Sequence, residues 1–187
     1  NPTDDMVVSD GETVTIPFTT VNTGGTTTYT WTNTDPTTGL TTSGTSDIGF
    51  TAVNTGTSPI TTTVVVTPGF ENGGNSNTGP TDTFTITVNP AAQIDPIDSM
   101  VVCNEDNTTA VVFTTENTGG TTTYSWTNDN TSIGLSSSGN GTIASFVATN
   151  VTTSAQVATI VVTPTFENGG NSNAGPTQSF TITVNPT

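Results

Sequence analysis

Gly24-Gly25-Thr26-Thr27-Thr28-Tyr29-Thr30-Trp31-Thr32-Asn33 is the stretch whose reading decides the fold. Its two glycines follow Asn22-Thr23 and supply a turn. The residues after them alternate, with Thr28, Thr30 and Thr32 on one face of a strand and Tyr29 and Trp31 on the other. Nearly the same letters return as Gly119-Gly120-Thr121-Thr122-Thr123-Tyr124-Ser125-Trp126-Thr127-Asn128. Trp31 and Trp126 therefore mark the core centres of two copies of one small β-domain. Other landmarks recur in step: Met6 and Met100, Phe18 and Phe113, Val66 and Val162, Phe84 and Phe180. A period of roughly 95 residues is far longer than the ~20–50 residues of a solenoid unit. It suits separately folded domains of immunoglobulin-like size. The division falls between residues 1–90 and residues 91–187.

Composition narrows the function. The 187 residues carry 15 Asp and Glu and no Lys, Arg or His, a formal net charge of −15. Only 8% of residues are charged, so the acidity is thinly spread over a Thr, Asn, Ser and Gly surface. Without a cation there is no phosphate clamp, and nucleic acid is not an expected partner. No apolar run approaches the ~20 residues of a membrane span, so membrane insertion is not expected either. Nor is an enzyme. Without His or Lys there is no triad, Schiff base or imidazole shuttle, and nothing to activate Cys103, the single cysteine. The carboxylate pairs Asp4/Asp5, Asp95/Asp98 and Glu105/Asp106 fall at domain ends or in an early turn, away from any expected pocket mouth.

Strand patterns fill each copy. In the first, 6–8 is a short strand and 13–20 a longer one, with Val14, Ile16 and Phe18 inward and Pro17 marking an edge or bulge. Short strands are expected at Gly39-Leu40 and at 48–52. Residues 60–67 and 83–88 complete the copy, the last with Phe84, Ile86 and Val88 in period two. Val111 and Phe113, Leu135, Phe146, the 160–162 run, and Phe180, Ile182 and Val184 repeat the order. The expected class is all-β: two tandem immunoglobulin-like antiparallel β-sandwiches. Trp31, Trp126, Phe18, Phe113, Phe84 and Phe180 are their core. The joint, Asn89-Pro90-Ala91-Ala92-Gln93-Ile94-Asp95-Pro96, is short and stiffened by proline.

The Tyr29-Thr30-Trp31-Thr32-Asn33 strand, Tyr124-Ser125-Trp126-Thr127-Asn128, Ile133-Gly134-Leu135, Val64-Val65-Val66-Thr67-Pro68 and the closing Phe-Thr-Ile-Thr-Val-Asn-Pro resemble the PKD-like repeats of giant Bacteroidetes cell-surface adhesins, including gliding-motility adhesins. The likeness covers both copies nearly end to end. It implies a secreted, extracellular or cell-surface stalk module, with neighbouring repeats of the same long chain as its first partners. The resemblance does not itself imply a ligand; a surface polysaccharide or protein is a further partner expected of such a surface module. The matching ends, Asn1-Pro2-Thr3 and Asn185-Pro186-Thr187, suggest a window of such an array. The resemblance also implies a paired early and late cysteine; here Ser9 and Cys103 hold the early position, while Asn77 and Asn173 fall near the late one, so Cys103 has no internal mate.

Four further features carry expectations. Asp95 and Asp98 at the joint are the candidate ligands of an interdomain calcium, the only cofactor in view; the alternative is a pair of solvated acids at a turn. Phe70-Glu71 and Phe166-Glu167 open two oxygen-rich loops that read as hairpin tips or as a contact surface. Phe70 and Phe166 are the only aromatic pair expected to be exposed, and they carry the alternative reading of a carbohydrate-binding module. Ser99, in Asp98-Ser99-Met100, resembles an O-glycosylation site of the same bacteria, and Asn107, Asn130, Asn140 and Asn150 open N-x-[ST] triplets. A third reading is a fibre subunit that assembles sideways through open sheet edges or Cys103.

Overall fold

The computed structural model describes every residue from Asn1 to Thr187. Fourteen strands and two 3-10 turns make it all-β. Two compact units result: Asn1–Ala91 with Glu167–Asn173, and Ala92–Phe166 with Ala174–Thr187.

The first repeat contains β1 (Met6–Ser9), β2 (Thr13–Ile16), β3 (Thr26–Asn33), β4 (Ser43–Thr45), β5 (Ile48–Thr51), β6 (Ile60–Asn72), β7 (Asn75–Thr78) and β8 (Asp82–Asn89). One sheet has the order β1-β8-β6-β3-β4, with β7 also on β6; β2 and β5 form a second, small sheet. Their apolar faces share one core: Val14, Ile16 and Ile48 from the small sheet, and Trp31, Val64, Val66, Phe84, Ile86 and Val88 from the large one. Only β1 and β8 run parallel. A buried Trp on the third strand between two such sheets is the immunoglobulin-like arrangement.

Proline placement explains the longest strand. β6 spans 13 residues and passes through Pro68. It pairs with β8 before Pro68 and with β7 after it. Across from Pro68 on β3 is Tyr29, whose carbonyl accepts from the Ser46 N–H at 2.9 Å and so points away from β6. No donor is needed from Pro68 toward β3, and its own carbonyl accepts from the Gly79 N–H at 2.9 Å. The hairpin that follows turns at Gly73 and Gly74, both with positive φ (58° and 78°), as a tight two-residue turn requires.

The second repeat contains β9 (Met100–Cys103), β10 (Thr121–Asn128), β11 (Ser138–Asn140), β12 (Gln156–Asn168), β13 (Asn171–Ala174) and β14 (Gln178–Asn185), ordered β11-β10-β12-β14-β9 with β13 on β12. Its core has the same plan, with Trp126, Ile160, Val162, Phe180, Ile182 and Val184. Here the small sheet is reduced to two isolated bridges, Asn107 to Val147 and Val111 to Ile143.

Three sequence expectations are corrected. The 13–20 strand stops at Ile16, because Pro17 offers no N–H; the next amide, Phe18, donates instead to the Asp47 carboxylate at 2.9 Å. The matching strand around Val111 and Phe113 does not form, and Val112 is 66% exposed. Gly39-Leu40 is not a strand. Asp35 caps the 3-10 turn Pro36–Thr38 by accepting from the Thr37 N–H, and Gly39 closes it at φ 90°. Asn130 and Gly134 do the same for Thr131–Ile133.

Candidate functional site

The first repeat carries a groove of about 350 Å³ lined by Phe18, Val21, Tyr29, Pro68, Phe70 and Gly79, among others. Each position follows from local structure. Phe18 emerges just past the proline that ends β2, and it packs against Tyr29 of β3 with ring centroids 5.3 Å apart. Pro68 and Phe70 lie where β6 changes partners, and Gly79 is the residue that bonds back to the Pro68 carbonyl. The Tyr29 hydroxyl is buried with no hydrogen-bond partner, and Val21 at the rim is 82% exposed. The walls mix these apolar side chains with several threonines and asparagines, and the one carboxylate, Asp82, accepts from the Thr3 N–H at 2.7 Å.

The second repeat keeps Phe113, Tyr124, Pro164, Phe166 and Gly175 at the matching positions, with Glu116 for Val21 and Gln178 for Asp82, but a segment of its own chain lies at Gly175. A Cβ on Gly175 would overlap the Ala92 carbonyl. Ala92 is fully buried, the Gln93 N–H donates to Asn117 Oδ1 at 2.6 Å, and the Asp95 N–H donates to the Thr114 carbonyl at 2.9 Å. Burial follows. Phe113, Pro164 and Phe166 are buried, whereas their counterparts Phe18, Pro68 and Phe70 are only half-buried. Phe113 and Tyr124 keep the ring contact, at 5.5 Å. The Tyr124 phenol is held above its usual pKa of 10.0 chiefly by burial; the Thr115 hydroxyl opposes this, and the Asp95 carboxylate adds a smaller upward push.

The exposed-pair expectation is therefore corrected: Phe166 is 0% exposed and cannot present a ring to a ligand. Glu71 and Glu167 are exposed. Asp95 and Asp98 both line one shallow groove beside residues 109–114; the Asp95 carboxylate accepts from the Thr114 hydroxyl at 2.6 Å, and Asp98 is exposed. No three His, Cys, Asp or Glu side chains gather as a metal-ligand group. Ser99 is exposed, with its oxygen accepting from the Thr181 N–H at 3.0 Å. Cys103 is exposed and unpaired. Trp31, Trp126, Phe84, Phe113 and Phe180 are buried, and Phe18 is the half-buried exception.

Sequence reasoning misses the buried asparagines. Asn150, which opens a glycosylation triplet, is 3% exposed; its amide donates to the Val184 carbonyl at 2.8 Å and the Ser154 carbonyl at 2.9 Å. Asn54 does the same to Val88 and Ser58 in the first repeat. The recurrence of Asn54 as Asn150 ahead of a strand is the signal that could have found them.

No protein-family model matches the chain, and no curated protein matches it. Among solved structures, a chain described as tandem Ig repeats of Dlar aligns with 100% of this chain and 96% of its own length, at 11% identity and a TM-score of 0.26. A superposition that loose carries no weight for function; the immunoglobulin-like assignment stands on the sheets described above.

Proposed function

We propose that this chain is a non-catalytic stalk segment of a secreted bacterial surface adhesin, built of tandem repeats that transmit tension. The observation that carries this reading is the pairing of first and last strands. Met6 lies beside Ile86 and Ser9 beside Asn89, in parallel. The second repeat pairs Met100 with Ile182 and Cys103 with Asn185 in the same sense. Tension applied between the start of the first strand and the end of the last acts along these strands. It shears the pairing as a block instead of peeling it bond by bond.

The surface suits that role. Threonine hydroxyls bond across the exposed face, as Thr61 to Thr87 at 2.9 Å, and no Lys or Arg offers a trypsin-type cleavage site. Edge strands β4 and β11 are three residues long, too short to template sideways assembly, which favours the stalk over the fibre. Neighbouring repeats are the expected partners, at an extracellular location.

Single-molecule pulling tests the reading. The first repeat is stretched end to end, and then through thiol handles at Glu12→Cys and Ala91→Cys, with Cys103→Ser. The first geometry shears β1 from β8, and the second separates them from one end. A clearly higher unfolding force end to end is expected. Equal forces would remove the mechanical basis of the proposal.

A further inference from the structure

We propose that the Asn168-Gly169 pair is a site of spontaneous deamidation, and that the buried Asn89 is the guard that keeps it intact. The chemistry needs no enzyme. The Gly169 nitrogen attacks the Asn168 side-chain carbonyl carbon, the bond to the amide nitrogen breaks, and ammonia leaves. Water then opens the cyclic imide at either carbonyl. The product is aspartate or, with the backbone rerouted through the side chain, isoaspartate. Glycine in the second place favours the attack, because it has no Cβ to obstruct it. The position admits no other residue. Gly169 has φ 61°, and a Cβ on it would come within 2.7 Å of Val7 Cγ2.

Glu167–Asn173 belong to the same compact unit as Asn1–Ala91, and within it Asn89 grips the hairpin tip at two points. Asn168 Nδ2 donates to Asn89 Oδ1 at 3.0 Å, and Asn89 Nδ2 donates to the Asn168 carbonyl at 2.9 Å. The first bond fixes the side-chain rotation of Asn168 and the second its backbone rotation. Those two rotations are the ones that bring the Gly169 nitrogen onto the amide carbon. Asn89 is itself 0% exposed, so water does not compete for its amide. Two other Asn-Gly pairs set the scale. In Asn140-Gly141 the attacking nitrogen is held instead, with the Gly141 N–H donating to the Tyr124 carbonyl at 2.8 Å. Asn72-Gly73 has the same neighbours in sequence as Asn168-Gly169, but it is exposed and the Asn72 side chain makes no hydrogen bond in this chain. Conversion at Asn168 has a structural result. A carboxylate replaces the donor that faces Asn89 Oδ1, and the isoaspartyl form lengthens the tip by one backbone carbon. Asn171, which accepts from Ser9 Oγ at 2.5 Å and donates to the Val7 carbonyl at 3.2 Å, is then out of register. Asn89 therefore sets how long the tip stays seated on β1.

The test ages the full chain in mildly alkaline buffer and cleaves it with a Glu-specific protease, since trypsin has no site. Mass spectrometry with electron-transfer fragmentation then locates aspartate and isoaspartate. Asn72 is expected to convert first, with Asn168 and Asn140 slower by about tenfold or more. Asn89→Ala is expected to bring Asn168 up to the Asn72 rate and to leave Asn140 slow, with unchanged far-ultraviolet circular dichroism. The comparison of Asn72 with Asn168 in the unaltered chain needs no variant and decides by itself: equal rates would overturn the proposal. So would an Asn168 rate that Asn89→Ala leaves unchanged.

Discussion

The two repeats share a core plan and differ at both of its flanks. The first has a true small sheet, Val14 against Phe50 and Ile16 against Ile48, and an open groove; the second has two bridges and a covered groove. Shared parts are those the large sheet dictates. The differing parts are the small sheet and the segment at Ala92.

The largest expected effects test the shared part. Trp31→Ala and Trp126→Ala should each cost about 3–5 kcal/mol in chemical denaturation. Phe substitutions sharpen the comparison. The Trp31 indole donates to the Ser46 carbonyl at 3.2 Å, whereas the buried Trp126 indole N–H has no partner. Trp31→Phe should therefore cost more than Trp126→Phe by about 0.5–1.5 kcal/mol; equal losses would show that the bond contributes nothing. Next come Asn54→Ala and Asn150→Ala, each expected to cost about 1–3 kcal/mol by stranding the Val88 or Val184 carbonyl. Those two should match, and a large disparity would break the shared plan.

Smaller effects probe the flanks. Hydrogen exchange should be slower at residues 13–16 than at 110–113, because only the former belong to a strand pair. The smallest effect is a pH response. Asp35 caps its turn as an anion; the Thr37 hydroxyl and then the Thr37 N–H hold its pKa below 3.8. Its contribution is full above pH 3.8 and is lost as pH falls through the folded value. Asn130 fills the same role without charge. Asp35→Asn should remove that acid sensitivity from the first repeat, and Asn130→Asp should install it in the second, both read from acid titration of thermal midpoints. At the other extreme, burial disfavours the Tyr124 phenolate and raises its pKa, so the folded state loses ground as pH climbs past 10.0.

Much of the fold is legible in the residues alone. Period-two alternation in Phe84, Ile86 and Val88 reports burial directly, because successive side chains on a strand face opposite ways. Trp31 and Trp126 declare two cores by recurring in register. Other features depend on partners distant in the chain. Nothing in the local sequence marks Gly44 or Gly139, yet a Cβ on either would overlap the indole of Trp31 or Trp126. Phe70 and Phe166 sit in near-identical sequence, and only the segment at Ala92 makes one buried and leaves the other half-open. Pro17 is a visible warning, but its consequence, a strand cut at Ile16 with Phe18 turned into a groove, depends on the distant Asp47 contact.

The pairing of β1 with β8 also has a temporal meaning. Met6 finds its register only when Ile86 has arrived, so the large sheet of the first repeat cannot close until almost the whole of that repeat is available. A chain delivered end first must keep each repeat unfinished until its last strand emerges, and then complete it in one long-range step. Each repeat is in this sense a latch that closes at the end of its own delivery.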